Sequence, residues 1–131
     1  MITNDDKAKF YKSKTWQGKR ARILRRDGYL CQIAKRYGKF TPARVVHHIF
    51  PFEYYPEYKL DSWNLISLSV INHERLHVRH GHILTIEGWR LLEKTAAKQG
   101  IKLTAQDKYK CLGIVPAADP TTETATADRD R

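Results

Sequence analysis

The chain of 131 residues has the size of one domain, and its 41% of hydrophobic residues suffices for a single core. Lys and Arg outnumber Asp and Glu by 24 to 14, and residues 1–44 alone hold 13 basic and 3 acidic side chains, which favours a polyanionic partner such as nucleic acid. No apolar run approaches the roughly 20 residues that span a bilayer and no signal-peptide core begins the chain, so we expect a soluble, cytoplasmic protein without membrane contact.

The first predicted element is one basic helix over about residues 6–26. It is followed by Asp27-Gly28, a pair that ends helices, and by a mixed stretch to Lys39. Residues 44–50 are rich in β-branched side chains and predict a strand that Pro51 closes. The helix has apolar contacts among its Lys and Arg residues, namely Phe10, Tyr11, Trp16, Ile23 and Leu24.

Residues 51–63 are rich in Pro and aromatic residues and predict a hairpin loop, after which Leu65–Leu68 forms the return strand. From about Ser69 the apolar spacing turns helical until Gly81. A C-terminal helix is predicted over about residues 84–99, whereas residues 101–115 are weakly patterned. We expect one α+β domain over residues 1–115 and a disordered tail over residues 116–131, which offers almost nothing to bury.

Four of the six histidines fall in one window of 31 residues, as the pair His47-His48 and the pair His73 and His77. Neighbouring side chains of a strand point to opposite faces, so His47 and His48 can take different tasks. Two histidines four residues apart on a helix project from one face, which suits two imidazoles on one metal ion. His47 would complete a three-histidine site.

The run His47-His48, then Asn64, then His73-x-x-x-His77 resembles the HNH, or ββα-metal (His-Me finger), nuclease family. The metal histidines are most similar to those of colicin-type nucleases. The stretches 10–13, 26–31 and 64–68 of this chain resemble small phage-encoded HNH proteins. The resemblance covers roughly residues 8–81 and implies a ββα-metal core over about residues 43–81 with flanking helices.

The resemblance implies a divalent-metal-dependent endonuclease that hydrolyses DNA phosphodiester bonds. His48 would be the general base that takes a proton from water, and the products would be 5′-phosphate and 3′-hydroxyl. His47, His73 and His77 would hold one ion of Mg, Mn, Ni or Zn, although a direct bond from His77 is left open. Asn64 would tie the hairpin loop together and so orient His48.

DNA is the expected partner, and its backbone would lie on the basic N-terminal third of the chain. Resemblance to phage proteins encoded beside packaging genes adds a terminase as a partner, in the cytoplasm of a bacterial host. A monomer is the default, because no second DNA-reading domain fits in the remaining length. The candidate DNA-binding residues are Lys19, Arg20, Arg22, Arg25, Arg26, Arg44 and Arg79, with His80 beside them.

Phage members of the family often carry two cysteine pairs that bind a structural zinc. Here the first of these positions is Cys31, and the others hold Ala34, Ser69 and Asn72, so we expect no structural zinc. Cys111 is the other cysteine of the chain, and without a CxxC pair both should be reduced thiols.

A different class of enzyme also fits part of the pattern, because residues 73–77 read HERLH and match the HExxH motif of zinc metalloproteases. In that case His73 and His77 would bind zinc, Glu74 would be the base, and Glu87 or Glu93 could be the third ligand. This alternative leaves the His47-His48 pair and the basic charge without a use. A DNA-binding module without catalysis is a third alternative.

Overall fold

The computed structural model describes residues 2–79 and 81–115, so the predicted tail and His80 lie outside the described residues. The fold is α+β, with a two-stranded sheet at its centre and helices around it. Within the described residues no helix is long and apolar enough to cross a membrane. In chain order the elements are α1 (Asn4–Lys12), α2 (Lys14–Arg26), α3 (Gln32–Arg36), β1 (Val45–His48), β2 (Leu65–Leu68), α4 (Val70–Glu74), α5 (Ile86–Gln99) and α6 (Ala105–Leu112).

The two strands and α4 form the ββα arrangement that the sequence predicted. β1 and β2 are antiparallel, with Val45 opposite Leu68 and His48 opposite Leu65, and β2 has the predicted bounds. β1 is shorter than the predicted 44–50, because the backbone of Phe50 bonds to a side chain of the loop instead of to a strand. Two 3-10 turns, Pro56–Tyr58 and Ser62–Asn64, shape that loop.

The N-terminal segment is two helices, so the single helix predicted over 6–26 is wrong. Ser13 separates them with an extended backbone, at φ −69° and ψ 151°. Its hydroxyl accepts a hydrogen bond from the Trp16 N–H, and its own N–H donates to the Phe10 carbonyl. A serine that caps one helix and ends another offers the backbone an alternative to a continuous helix.

The helix predicted from Ser69 to Gly81 is also wrong, because α4 ends at Glu74. The chain then turns so that the Thr85 hydroxyl donates to the Arg75 carbonyl at 2.7 Å and the Thr85 N–H donates to the Leu76 carbonyl at 3.0 Å. These bonds satisfy carbonyls that a longer helix would use internally. His77 consequently lies beyond the helix, in a bridge with Leu84.

Two clusters of buried side chains lie on the two faces of the sheet. Val46 and Leu65 pack with Trp16 and Ile23 of α2 on one face. The larger cluster lies on the other face and includes buried residues of α5. Because side chains alternate along a strand, His48 shares the face of Val46, whereas His47 points to the opposite face.

Candidate metal and catalytic site

Three histidines from three parts of the chain converge beside the sheet. His47 comes from β1, His73 from α4 and His77 from the turn after α4, and one ligand atom from each lies within 4.8 Å of the others. Their ring centroids are 4.6–5.2 Å apart. The spacing allows the three imidazoles to face one ion.

The three imidazoles have lowered pKa values, so they are uncharged at neutral pH, as ligands of a metal cation must be. His47 is fully buried, and burial together with the neighbouring His77 and His73 holds its pKa well below the usual value. Burial, reinforced by His73, lowers the pKa of His77 to about 4. His47 Nε2 and His77 Nδ1 are buried without a hydrogen-bond partner in the described residues. His47 Nδ1 and His77 Nε2 face each other at 3.1 Å, and neutral imidazoles this close together fit a divalent metal ion.

His48 lies on the other face of β1, and its two ring nitrogens have different surroundings. Nε2 is 3.0 Å from the Lys59 carbonyl, and because a carbonyl can only accept, Nε2 carries the hydrogen of the neutral ring. Nδ1 therefore keeps a lone pair. Burial lowers the pKa of His48 to about 4, against the opposing effects of the Lys59 carbonyl and the Glu53 charge. At neutral pH this imidazole is therefore uncharged, and Nδ1 is the nitrogen that can accept a proton.

Aromatic side chains surround His48, and the sequence did not assign them to the site. Trp16 stacks on the imidazole with centroids 5.0 Å apart, and Phe52 stacks on it at 5.7 Å. Phe10 and Tyr11 approach at 6.2 and 6.1 Å. The sequence predicted three of these four rings as apolar contacts of a helix. The spacing of apolar residues along a helix does not indicate that they will enclose a histidine.

Asn64 is completely buried and joins two parts of the loop between the strands. Its Oδ1 accepts from the Phe50 N–H at 2.7 Å. Its Nδ2 donates to the carbonyls of Phe50 and Tyr58 at 3.3 and 3.1 Å. Lys59, whose carbonyl faces His48, directly follows Tyr58, so the amide acts on the segment that holds the imidazole.

Glu53 is a buried carboxylate of the same region that the sequence also did not assign. It forms an ion pair with Lys7 of α1. Both side chains line an open cavity of about 480 Å³, together with His47, His48, His73 and His77. The ion pair thus ties α1 to the edge of the cavity that holds the histidines.

The predicted DNA-binding cations lie in different surroundings. Arg20 and Arg44 line the cavity, and the Arg20 guanidinium donates to the Arg44 carbonyl at 3.0 Å. Lys19 donates to the Ser62 hydroxyl, and Arg26 donates to the carbonyls of Ser62 and Leu65, which joins α2 to the second strand. The remaining candidates, Arg22, Arg25 and Arg79, are exposed.

The metalloprotease alternative requires both histidines of the HExxH motif on one helix, one turn apart. Because α4 ends at Glu74, His77 is not on that helix. Glu87 and Glu93 are exposed on α5 and do not line the cavity of the histidines. The structure therefore lacks the geometry of a zinc metalloprotease in the residues that it describes.

The four positions at which the resemblance placed the cysteines of a structural zinc site, namely 31, 34, 69 and 72, lie together. Cys31 is buried, and its sulfur accepts a hydrogen bond from Asn72 Nδ2 at 3.2 Å. Burial raises the pKa of the Cys31 thiol, but hydrogen bonds from Ser69, Ala34 and Asn72 outweigh it and leave the pKa lowered. Cys31 and Cys111 are both free thiols.

A solved structure is similar to this chain in both fold and sequence. It is the crystal structure of the HNH endonuclease of the deep-sea thermophilic bacteriophage GVE2 with a manganese ion. The two chains are 38% identical with a TM-score of 0.53, and the similarity covers 55% of this chain and 78% of the phage chain. No family model and no curated protein matches the chain.

Proposed function

The chain belongs to the HNH endonuclease family, and on this premise we propose that it is an endonuclease that uses one divalent metal ion to hydrolyse DNA phosphodiester bonds. One observation carries the proposal. The three-histidine cluster, in which His47 Nε2 and His77 Nδ1 are buried without a partner in the described residues, lines the same open cavity as the neutral His48, and His47 and His48 are adjacent on β1. A metal-binding group and a proton acceptor side by side are what assisted phosphodiester hydrolysis requires.

His47, His73 and His77 would hold the ion. When bound, a divalent ion neutralises charge on the scissile phosphate and stabilises the departing alkoxide. The candidates are Mg, Mn, Ni and Zn, and imidazole ligands favour the transition metals among them. The manganese ion of the GVE2 enzyme supports a transition metal but belongs to that protein.

His48 would act as the general base through Nδ1. Nδ1 takes a proton from a water molecule, the water oxygen forms a bond to phosphorus, and the bond from phosphorus to the 3′ oxygen breaks. The 3′ oxygen then takes a proton from solvent, which yields 5′-phosphate and 3′-hydroxyl ends. The Lys59 carbonyl, which Asn64 positions through its bond to Tyr58, would stabilise the protonated His48 ring. The negative charge of Glu53 would also stabilise it.

DNA would lie across the cavity with its phosphates near Arg20 and Arg44, and the rest of the basic N-terminal third would attract the backbone at longer range. Residues 1–115 would act as a single domain and as a monomer in the cytoplasm of a bacterial host. A terminase partner rests on the resemblance to phage proteins and is tested by co-purification with phage packaging proteins.

The first experiment is nicking of supercoiled plasmid by the purified protein with EDTA, Mg, Mn, Ni or Zn. We expect cleavage only with a divalent metal. His48→Ala should cut at least about a hundredfold more slowly and still bind metal, because it removes only the proton acceptor. His73→Ala should lose metal affinity, measured by calorimetry, and activity together.

These two variants are matched, since each removes one imidazole from the same cavity. If the wild type binds DNA but cuts nothing with any metal, the DNA-binding module replaces the nuclease. If His48→Ala cuts as fast as the wild type, another group is the base.

A further inference from the structure

The open nitrogen of His48 faces a side chain from outside the ββα core. The Tyr11 hydroxyl of α1 lies 3.5 Å from His48 Nδ1, while Nε2 is held by the Lys59 carbonyl. Tyr11 and His48 both line the open cavity that contains the three other histidines. A molecule that donates a proton to His48 Nδ1 must therefore lie next to the Tyr11 hydroxyl.

The distance indicates a place for a water molecule. A well-formed hydrogen bond from a hydroxyl spans about 2.8 Å, so the direct contact at 3.5 Å is long and weak. One water can lie about 2.8 Å from both atoms, because two such lengths easily bridge a separation of 3.5 Å. It would make two bonds of normal length in place of one long bond.

Packing and charge fix the position and the protonation of the hydroxyl. The Tyr11 ring meets Trp16 and Phe52 edge-on, with centroids 5.6 and 5.9 Å apart. The ion pair between Lys7 and Glu53 holds the same helix against the loop. Burial first, and then the Glu53 charge, raise the pKa of Tyr11, so the hydroxyl stays neutral and can both donate and accept.

We propose that Tyr11 is a positioning residue that holds the attacking water against His48 Nδ1. The water donates one hydrogen to Nδ1 and bonds to the Tyr11 hydroxyl, so that its oxygen lone pair is left for phosphorus. The phenol itself gains and loses no proton in the step. This inference rests on the proposed function and extends the site to the first helix of the chain.

The test is Tyr11→Phe, which removes one oxygen and keeps the packed ring. We expect kcat for plasmid nicking to fall about tenfold, the loss of one positioning hydrogen bond, with KM for DNA and metal affinity unchanged. Tyr37→Phe removes the same atom from an exposed tyrosine that does not line the cavity, and it should leave kcat unchanged. Melting temperatures of both variants check the fold.

A double-mutant cycle separates positioning from a general structural effect. In the His48→Ala background, Tyr11→Phe should cause no further loss, because both residues act on one water. If Tyr11→Phe melts below the assay temperature, the same cycle is run with all four proteins at a temperature below that melting point. Wild-type kcat in Tyr11→Phe, or an additive loss in the cycle, overturns the role of Tyr11 and leaves the nuclease intact. A wild type that does not cut DNA overturns the proposed function and this role with it.

Discussion

Asn64 acts on the loop beside His48 through backbone groups. Within the described residues, its side-chain amide makes three hydrogen bonds, which go to the backbone of Phe50 and Tyr58 and not to His48. The next residue, Lys59, presents its carbonyl to His48 Nε2. A buried amide of this kind is stabilising only while both its donor and its acceptor are satisfied.

Asn64→Asp should therefore destabilise the protein although its shape hardly changes. The carboxylate cannot donate to the carbonyls of Phe50 and Tyr58, and it is buried, so we expect a loss of about 2–4 kcal/mol in the free energy of unfolding. Urea denaturation measures it. Asn4→Asp, the same change at an exposed first residue of α1, should be neutral or slightly stabilising because helix N-termini favour negative charge. Equal effects of the two changes would contradict this role of Asn64.

The junction of α4 and α5 sets where His77 lies. The Gly88 N–H donates to the Thr85 hydroxyl, which in turn donates to the Arg75 carbonyl just after α4. Gly88 also lies so close to the Leu76 carbonyl that a β-carbon at this position would collide with backbone. The start of α5 is thus packed directly against the segment that carries His77.

Gly88→Ala should separate these two segments. We expect an overpacking cost of about 1–3 kcal/mol, seen as a lower melting temperature, and weaker metal binding because the His77 segment moves. Gly18→Ala in α2 is the matched control, since its β-carbon would meet only the flexible end of Arg22 at 3.5 Å. That change should be neutral or stabilising by up to about 1 kcal/mol, because alanine favours helices. A wild-type melting temperature in Gly88→Ala would contradict the close packing.

The positive charge of the whole molecule is unevenly distributed, and its exposed arginines lie both at the cavity of the histidines and away from it. Arg44 lies at the cavity of the histidines, whereas Arg90 of α5 lines a separate groove with Arg36 and Lys94. Both arginines carry the same charge and both are exposed. Net charge alone attracts DNA from a distance, but only cations that reach phosphates release counterions in the bound complex.

Arg44→Gln should reduce the magnitude of the salt slope of DNA binding by about 1, the effect of one lost phosphate contact. Arg90→Gln lowers the net charge equally and should leave the slope unchanged. Fluorescence anisotropy with duplex DNA at several salt concentrations measures both. Equal slopes for the two variants would mean that DNA does not lie across the cavity.

The grouping of the histidines was predictable because histidine is a common metal ligand and its spacing is visible in the sequence. The sequence brought His47, His73 and His77 together as metal ligands, and the structure has them within 4.8 Å of one another. Yet it did so through a helix that ends before His77. The sequence could not predict the partners of His48, since Tyr11 and Trp16 lie far from it along the chain, and aromatic residues such as these and Phe52 are equally common in a core.

Local patterns in the chain were enough to predict the hairpin with its second strand at Leu65–Leu68, the α+β class, the charge of the N-terminal third, and the grouping of His47, His73 and His77. These follow from side-chain alternation, turn residues and chemical type, which act over a few residues. The folded structure was needed to find the break at Ser13, the end of α4 at Glu74, and the enclosure of His48 by α1 and α2. Each of these depends on hydrogen bonds or ring contacts between groups distant in sequence, or on a cap that competes with a helix of similar free energy.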